Sequence, residues 1–181
     1  GNADLFLLNP NGIIFGSNSS LDISGSFTAT TLPSRAFNDV FKPSGNNSQA
    51  TPLLKINITP GLQYSRSLQA DIVNKGNLTV GNNLNLIGNN LNLAGTLNAG
   101  GDLNLKATSD LQIRDSLDNP FIASAGKNLL LKGNLSVDIE AINHPDSGLF
   151  SGNDLVLQSS NPVLGDANYF SGRNFRIEQL D

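Results

Sequence analysis

Gly76-Asn77-Leu78-Thr79-Val80, Asn82-Asn83-Leu84-Asn85-Leu86, Asn89-Asn90-Leu91-Asn92-Leu93 and Gly101-Asp102-Leu103-Asn104-Leu105 are four statements of one phrase. Gly or Asn comes first, then Asn or Asp, then an apolar-x-apolar triplet. Further copies are Lys127-Asn128-Leu129-Leu130-Leu131, Gly133-Asn134-Leu135-Ser136-Val137, Asn153-Asp154-Leu155-Val156-Leu157 and Arg173-Asn174-Phe175-Arg176-Ile177. Each triplet has the period-2 alternation of a short strand, with two apolar residues on one face and one residue on the other. A strand this short cannot bury a face alone, so repeated strands must stack on one another.

The spacing says how they stack. Leu84, Leu103, Leu129, Leu155 and Phe175 follow one another at intervals of 19, 26, 26 and 20 residues. Further triplets fall between these marks. About twenty residues with about three short strands make one turn of a three-faced parallel solenoid, in the range of known repeat periods. Equivalent strands then lie about 4.8 Å apart in successive coils. The apolar positions form continuous ladders inside a tube of roughly six or more coils. The expected fold is all-β, a right-handed parallel β-helix.

Composition agrees with this reading. The chain has 26 Asn and 18 Gly, and charged residues make up only 14%. Asn and Gly are poor helix formers but suit tight turns, because both tolerate left-handed backbone. Asn at one corner of successive coils can also form an amide ladder, as in other stacked β-structures. The 11 Lys+Arg against 15 Asp+Glu leave a net charge of -4, with no basic stripe for a phosphate backbone. No nucleic-acid partner is expected. The chain has no Cys, so disulfides, thiolate metal sites and thiol nucleophiles are excluded. No apolar run approaches the length of a membrane helix, so no membrane insertion is expected. The first residues do not read as a signal peptide, which fits a mature chain or a fragment.

Residues 31–70 depart from the repeat. They carry Pro33, Pro43, Pro52 and Pro60, and proline cannot donate to a central ladder. This stretch is read as an extra-helical excursion that holds a strand or hairpin, with Leu53-Leu54-Lys55-Ile56-Asn57-Ile58 as its strand, packed on the solenoid flank. The domain organisation expected is therefore one β-helix over 1–181. Motif-bearing first coils occupy 1–30, the excursion 31–70 and regular coils 71–181. Residues 115–120 and 143–148 read as coil-to-coil loops, which account for the 26-residue intervals.

Near the start stands Leu5-Phe6-Leu7-Leu8-Asn9-Pro10-Asn11-Gly12-Ile13-Ile14-Phe15-Gly16, a strand, a turn and a strand. Pro10 sets φ for the second turn position, Asn11 and Gly12 tolerate left-handed geometry, and Asn9 can bond back to its own turn. A single turn of this kind is common. The longer string is more specific: Asn9 to Ile13, Phe15-Gly16, then Leu21-Asp22-Ile23-Ser24-Gly25-Ser26-Phe27-Thr28-Ala29-Thr30-Thr31. With Phe37 to Phe41 and Ile56 to Tyr64, it resembles the haemagglutination-activity, or two-partner-secretion, domain of filamentous haemagglutinins, most closely the cyanobacterial members. Recognisable phrases cover about residues 3–110.

The resemblance implies a right-handed parallel β-helix that is exported through the periplasm and outer membrane to the cell surface. It also implies recognition by a dedicated outer-membrane transporter with periplasmic transport-associated domains. The family motif Asn-Pro-Asn-Gly-Ile falls on Asn9, Pro10, Asn11, Gly12 and Ile13. The family's earlier Asn-Pro-Asn-Leu motif and its N-terminal cap have no counterpart in these residues. The chain is accordingly expected to be a fragment of a larger exoprotein. The function expected is a secretion domain that nucleates β-helix folding at the cell surface.

Two other readings compete. The first is a carbohydrate-binding adhesin segment, for which Tyr64, Tyr169 and Phe170 are the candidate sugar-stacking aromatics, with core packing favoured for Phe170. The second is a β-helical polysaccharide lyase. Asp138 and Glu140 share a strand face about 6.6 Å apart, near the separation of glycosidase carboxylate pairs. In Leu135-Ser136-Val137-Asp138-Ile139-Glu140, however, the apolar residues take the inward positions, which turns both carboxylates to solvent. His144 is the sole histidine and sits beside Pro145 in a loop. Neither a metal nor a cofactor is expected, and no catalysis.

Overall fold

A computed structural model describes residues 3–32 and 70–181 of the chain. Short strands and tight turns account for them, with no helix among them. The first coil holds β1 (Leu5–Leu8), β2 (Ile13–Phe15) and β3 (Ser20–Ile23). The second holds β4 (Phe27–Thr30), β5 (Ile72–Asn74) and β6 (Asn77–Val80). The third holds β7 (Leu84–Gly88), β8 (Leu91–Leu93) and β9 (Thr96–Ala99). The fourth holds β10 (Leu103–Ala107), β11 (Asp110–Arg114) and β12 (Ile122–Ala125). The fifth holds β13 (Leu129–Gly133), β14 (Ser136–Ala141) and β15 (Gly148–Ser151). The sixth holds β16 (Leu155–Ser159), β17 (Leu164–Ala167) and β18 (Tyr169–Ser171), and β19 (Phe175–Gln179) starts a seventh.

Every third strand pairs, always in parallel. The first sheet is β1-β4-β7-β10-β13-β16-β19, the second β2-β5-β8-β11-β14-β17 and the third β3-β6-β9-β12-β15-β18. This is the right-handed parallel β-helix that the repeats imply. The register joins Leu84, Leu103, Leu129, Leu155 and Phe175, the five residues that mark the intervals in the sequence.

The core is a set of columns. Leu86, Leu105, Leu131 and Leu157 stack in the first sheet and are buried, as are Ile72, Leu91, Leu111 and Val137 in the second. Burying each such side chain contributes about 1.5–3 kcal/mol relative to exposure. An amide enters a column at Asn74, which is fully buried between Phe15 and Leu93 in the second sheet. Its amide donates to the carbonyls of Gly76 and Ala94, while its own oxygen lacks a partner.

The three corners differ. Between the third sheet and the first, Gly81, Gly100, Gly126, Gly152 and Gly172 each follow the last residue of a strand and stack directly. A Cβ on any of the last four would collide with the carbonyl oxygen of the glycine one coil below. Two residues later stands a side-chain ladder. Asn83 Oδ1 accepts the main-chain N–H of Asp102 at 2.9 Å, and Asp102 Oδ1 accepts that of Asn128 at 3.0 Å. Asn128 and Asp154 continue the series to Asn174, and Asp4 and Ser26 begin it. A corner ladder is therefore present, but in place of the expected Asn amides bonded to one another, Asp and Asn alternate from Asn83 onward and each accepts a main-chain N–H, so that its carboxylates stand two coils apart.

The corner between the second and third sheets varies in length. It takes residues 94–95 in the third coil, 115–121 in the fourth and 142–147 in the fifth. The segments at 115–120 and 143–148 thus lie within coils, not between them as the intervals alone suggested. The longer intervals arise because both extra segments enter at one corner.

Three further readings are corrected. Leu135 precedes β14 and is 53% exposed, so it is not an inward residue of that strand. Phe170 is outward and 54% exposed, stacked face to face on Phe150 at 5.0 Å. Core packing falls instead to its neighbour Tyr169, which registers on the inward Leu149. Phe175 and Ile177 register on the inward Leu155 and Leu157 but stay exposed, because no described coil lies over β19. The excursion expected at 31–70, with its strand at Leu53 to Ile58 and Tyr64, lies outside the described residues except at its ends. There Thr31 Oγ1 donates to the Ala70 carbonyl at 2.7 Å.

Candidate functional site

Asn9, Pro10, Asn11, Gly12 and Ile13 form the corner between the first and second sheets in the first coil. The turn is built from its own residues. Asn9 Oδ1 accepts the N–H of Asn11 at 3.1 Å, and the Asn9 carbonyl accepts the N–H of Gly12 at 3.2 Å. Asn at the first position, Pro at the second and Gly at the fourth suit such a turn. Gly12 has φ 111°, a conformation that side chains resist, so glycine is required there.

The turn is also tied to the second coil. Asn9 N–H donates to the Thr30 carbonyl at 3.0 Å, and Ile13 N–H to the Asp71 carbonyl at 3.1 Å. Ile13 is buried and registers on Ile72. Asp71 itself accepts the N–H of Asn90, and Asn90 Oδ1 accepts that of Asp110. The motif therefore sits at the foot of a second corner ladder, beside Ala70.

The five motif residues divide by availability. Ile13 points into the core and Gly12 serves the backbone. Asn9 and Asn11 are exposed, and the Asn11 side chain makes no hydrogen bond among the described residues. Next to them Ile14 is 76% exposed on the outer face of β2, in register with Val73. Reading the motif as a motif passes over Ile14. Alternation alone would have found it, because an inward Ile13 sends the next side chain outward.

A second feature lies on the outer face of the second sheet. Asn90, Asn92, Asp110, Gln112, Ser136 and Asp138 line an open groove. Asn92 and Gln112 are registered neighbours whose side chains make no hydrogen bond among the described residues. Ser136 Oγ donates to Asp110 at 2.6 Å. Asp138 and Glu140 face outward, as their alternation requires, and Arg114 on the neighbouring strand bridges both.

His144 lies in the 142–147 corner, where its Nδ1 accepts the N–H of Asp146 at 3.0 Å. The centre of that corner is Asp115, which accepts from Ser147 Oγ at 2.6 Å, His144 N–H at 2.9 Å and Asn143 Nδ2 at 2.8 Å. Burial works to raise its pKa, but these donors, Ser147 foremost, outweigh it and hold the carboxyl below the ordinary aspartate value. Among the described residues no three His, Cys, Asp or Glu side chains gather into a metal site. Burial, with Asp166 nearby, pushes the Tyr169 hydroxyl up to about 12, so it stays protonated.

No curated protein and no solved structure matches the chain. A family model does match, over residues 1–168, and its description is TPS secretion domain. That span takes in the Asn9 to Ile13 turn and nearly every coil. Two independent lines meet here, the stacked three-sheet architecture and the family match: the chain belongs to the TPS secretion domain family, which are not enzymes but the secretion domains of two-partner-secreted, haemagglutinin-type exoproteins.

Proposed function

We propose that the turn from Asn9 to Ile13, with Ile14 beside it, is the surface by which the outer-membrane transporter recognises this domain, through its periplasmic transport-associated domains. The exoprotein then passes through the periplasm and outer membrane to the cell surface, where the domain nucleates β-helix folding. The observation that carries this reading is an exposed apolar residue, Ile14, beside two exposed amides in a chain whose other strand alternations mostly hide their apolar side chains. Rigid turns with a protruding apolar residue suit recognition with little ordering cost.

The test is export of the full-length exoprotein with its transporter. Asn11→Ala removes a side chain that holds nothing in place, and Ile14→Asp changes only an exposed one. Each should lower the exported fraction roughly tenfold, equivalent to about 1.4 kcal/mol of lost recognition. Thermal melts should be unchanged. Wild-type export from both variants would remove the motif from recognition.

A second reading rests on the groove of the second sheet. The free amides of Asn92 and Gln112, beside Asp110 and Ser136, offer donors and acceptors suited to sugar hydroxyls. A glycan array with Gln112→Ala as control tests it: binding that survives the substitution moves the site elsewhere.

A further inference from the structure

The turn at residues 9–13 joins two asparagines of opposite chemistry. An asparagine carboxamide is open to attack by the main-chain nitrogen of the residue that follows it, which makes asparagine a thermolabile residue. Proline has no N–H to lose, so Pro10 bars this route at Asn9. Glycine has no Cβ to hinder the approach, so Gly12 leaves the route open at Asn11. Of the 26 asparagines in the chain, Asn11 alone precedes a glycine. Its side chain is exposed and, among the described residues, makes no hydrogen bond. The folded turn works against the attack. Asn9 Oδ1 accepts the Asn11 N–H at 3.1 Å, and the Asn9 carbonyl accepts the N–H of Gly12, the attacking nitrogen, at 3.2 Å. Ile13 anchors the far side through its buried side chain and its bond to the Asp71 carbonyl. A nitrogen whose proton is engaged, in a turn fixed on both sides, must be released before it can reach the Asn11 side chain.

We infer that Asn11 is a site of spontaneous deamidation in the unfolded chain, and that Asn9, by closing the turn, is the positioning residue that shields it in the folded one. In the reaction the Gly12 nitrogen gives up its proton and bonds to Cγ of Asn11. The Cγ–Nδ2 bond breaks, and ammonia leaves with that proton. Water then opens the cyclic imide. Addition at Cγ yields aspartate, and addition at the main-chain carbonyl yields isoaspartate, in which the backbone runs through the side chain. Either product adds a negative charge. The second also lengthens the backbone of a turn whose Gly12 stands at φ 111°. A chain that waits unfolded is thus marked at this turn, and a chain that has folded is not. The chemistry belongs to the chain itself and holds whether or not the transporter reads Asn9 to Ile13.

Incubation of the whole 181-residue chain in mildly alkaline buffer, folded and in urea, followed by peptide mass spectrometry, tests it. In urea the amide-to-acid mass gain should appear at Asn11 ahead of the other asparagines, with isoaspartate among the products. In the folded chain the gain at Asn11 should be more than about ten-fold slower, as for a group reached only by local opening. Asn9→Ala removes the Oδ1 acceptor and keeps the carbonyl. The folded turn should then open more often, and Asn11 should convert about five-fold faster, the worth of one hydrogen bond. In urea the same variant should match the wild type. Asn9→Asp retains an oxygen at that place and should restore the slow folded rate. First conversion at another asparagine in urea would overturn the site. Equal rates in the folded and unfolded wild type, or an unchanged folded rate in Asn9→Ala, would overturn the shielding. The wild-type measurements stand even if a variant fails to fold. None of these results reads export, so failure here and failure of the transporter reading are separate.

Discussion

Two corners of the same tube behave in opposite ways. From the second coil onward, the corner between the third and first sheets repeats the same parts: a glycine, one intervening residue and a capping side chain, with Ser24 in the glycine's place in the first coil. The corner between the second and third sheets shrinks to a residue or two in some coils and swells to 115–121 and 142–147 in others. The strands on either side keep perfect register in both cases. Register is thus set at the constant corner, where main chains touch and only one conformation fits. The variable corner needs only to deliver the chain to its next strand, and any length with satisfied polar groups will do.

The strongest way to break that contrast is at the glycine column. Gly126→Val would force a side chain into the Gly100 carbonyl, with backbone and not a flexible side chain as the obstacle. Overpacking of this kind should cost about 3 kcal/mol, read as a lower urea midpoint. If the variant unfolds with the wild-type midpoint, the constant corner does not set register.

The variable corner has one fixed point of its own. Asp115→Ala strips the acceptor from Ser147, His144 and Asn143 together, and should cost about 2 kcal/mol. The loss should stay local, with faster exchange in 115–121 and 142–147 and unchanged protection in β13 and β16. Exchange that spreads to the first sheet would mean that this corner, too, governs the stack.

The smallest effect is acid titration. Asp115 and Asp154 both have pKa values below the ordinary one. At Asp154 the hydrogen bond from Arg176 is the main cause, with Asn174 adding to it. A carboxylate depressed in the folded state stabilises above its unfolded pKa of about 3.9, and that stabilisation is lost as pH falls through the folded value. Stability should therefore be flat from neutral to about pH 5 and decline below about 4. Asp115→Asn should flatten the decline more than Asp154→Asn, because Asp154 and Arg176 are solvated and their pair is screened. The reverse ranking would place the acid-sensitive contact at the constant corner.

Much of this was legible in the residues. The Leu-x-Leu phrase gives strand, face and coil number at once, since burial of short strands leaves no alternative to stacking. The Asn and Gly counts point to corners and ladders, and the Asn-Pro-Asn-Gly-Ile string to a turn that the geometry reproduces. What failed has separate causes. Alternation fixes faces only when a triplet has one apolar parity, and Tyr169-Phe170 offers two aromatics of opposite parity. Registration of Tyr169 on Leu149 decides between them, and that information is not local. Leu135 misleads differently: it shares the parity of the inward Val137 and Ile139, but the strand begins only at Ser136, so it stands in the turn and stays exposed. The insertions at 115–121 and 142–147 change the interval without saying at which corner they enter. Ile14 was readable from its neighbour, but a motif draws attention to its own five residues.

The glycine column has a consequence for how such a molecule grows. Outside the variable corner, a gene rearrangement that adds or deletes part of a winding displaces a glycine from its column and drives a side chain into backbone. A duplication that runs from one of these glycines to the next, such as residues 100–125 or 126–151, returns the chain to the same point and the same height. Descent therefore favours change in whole windings, and the length of the tube becomes an inherited integer.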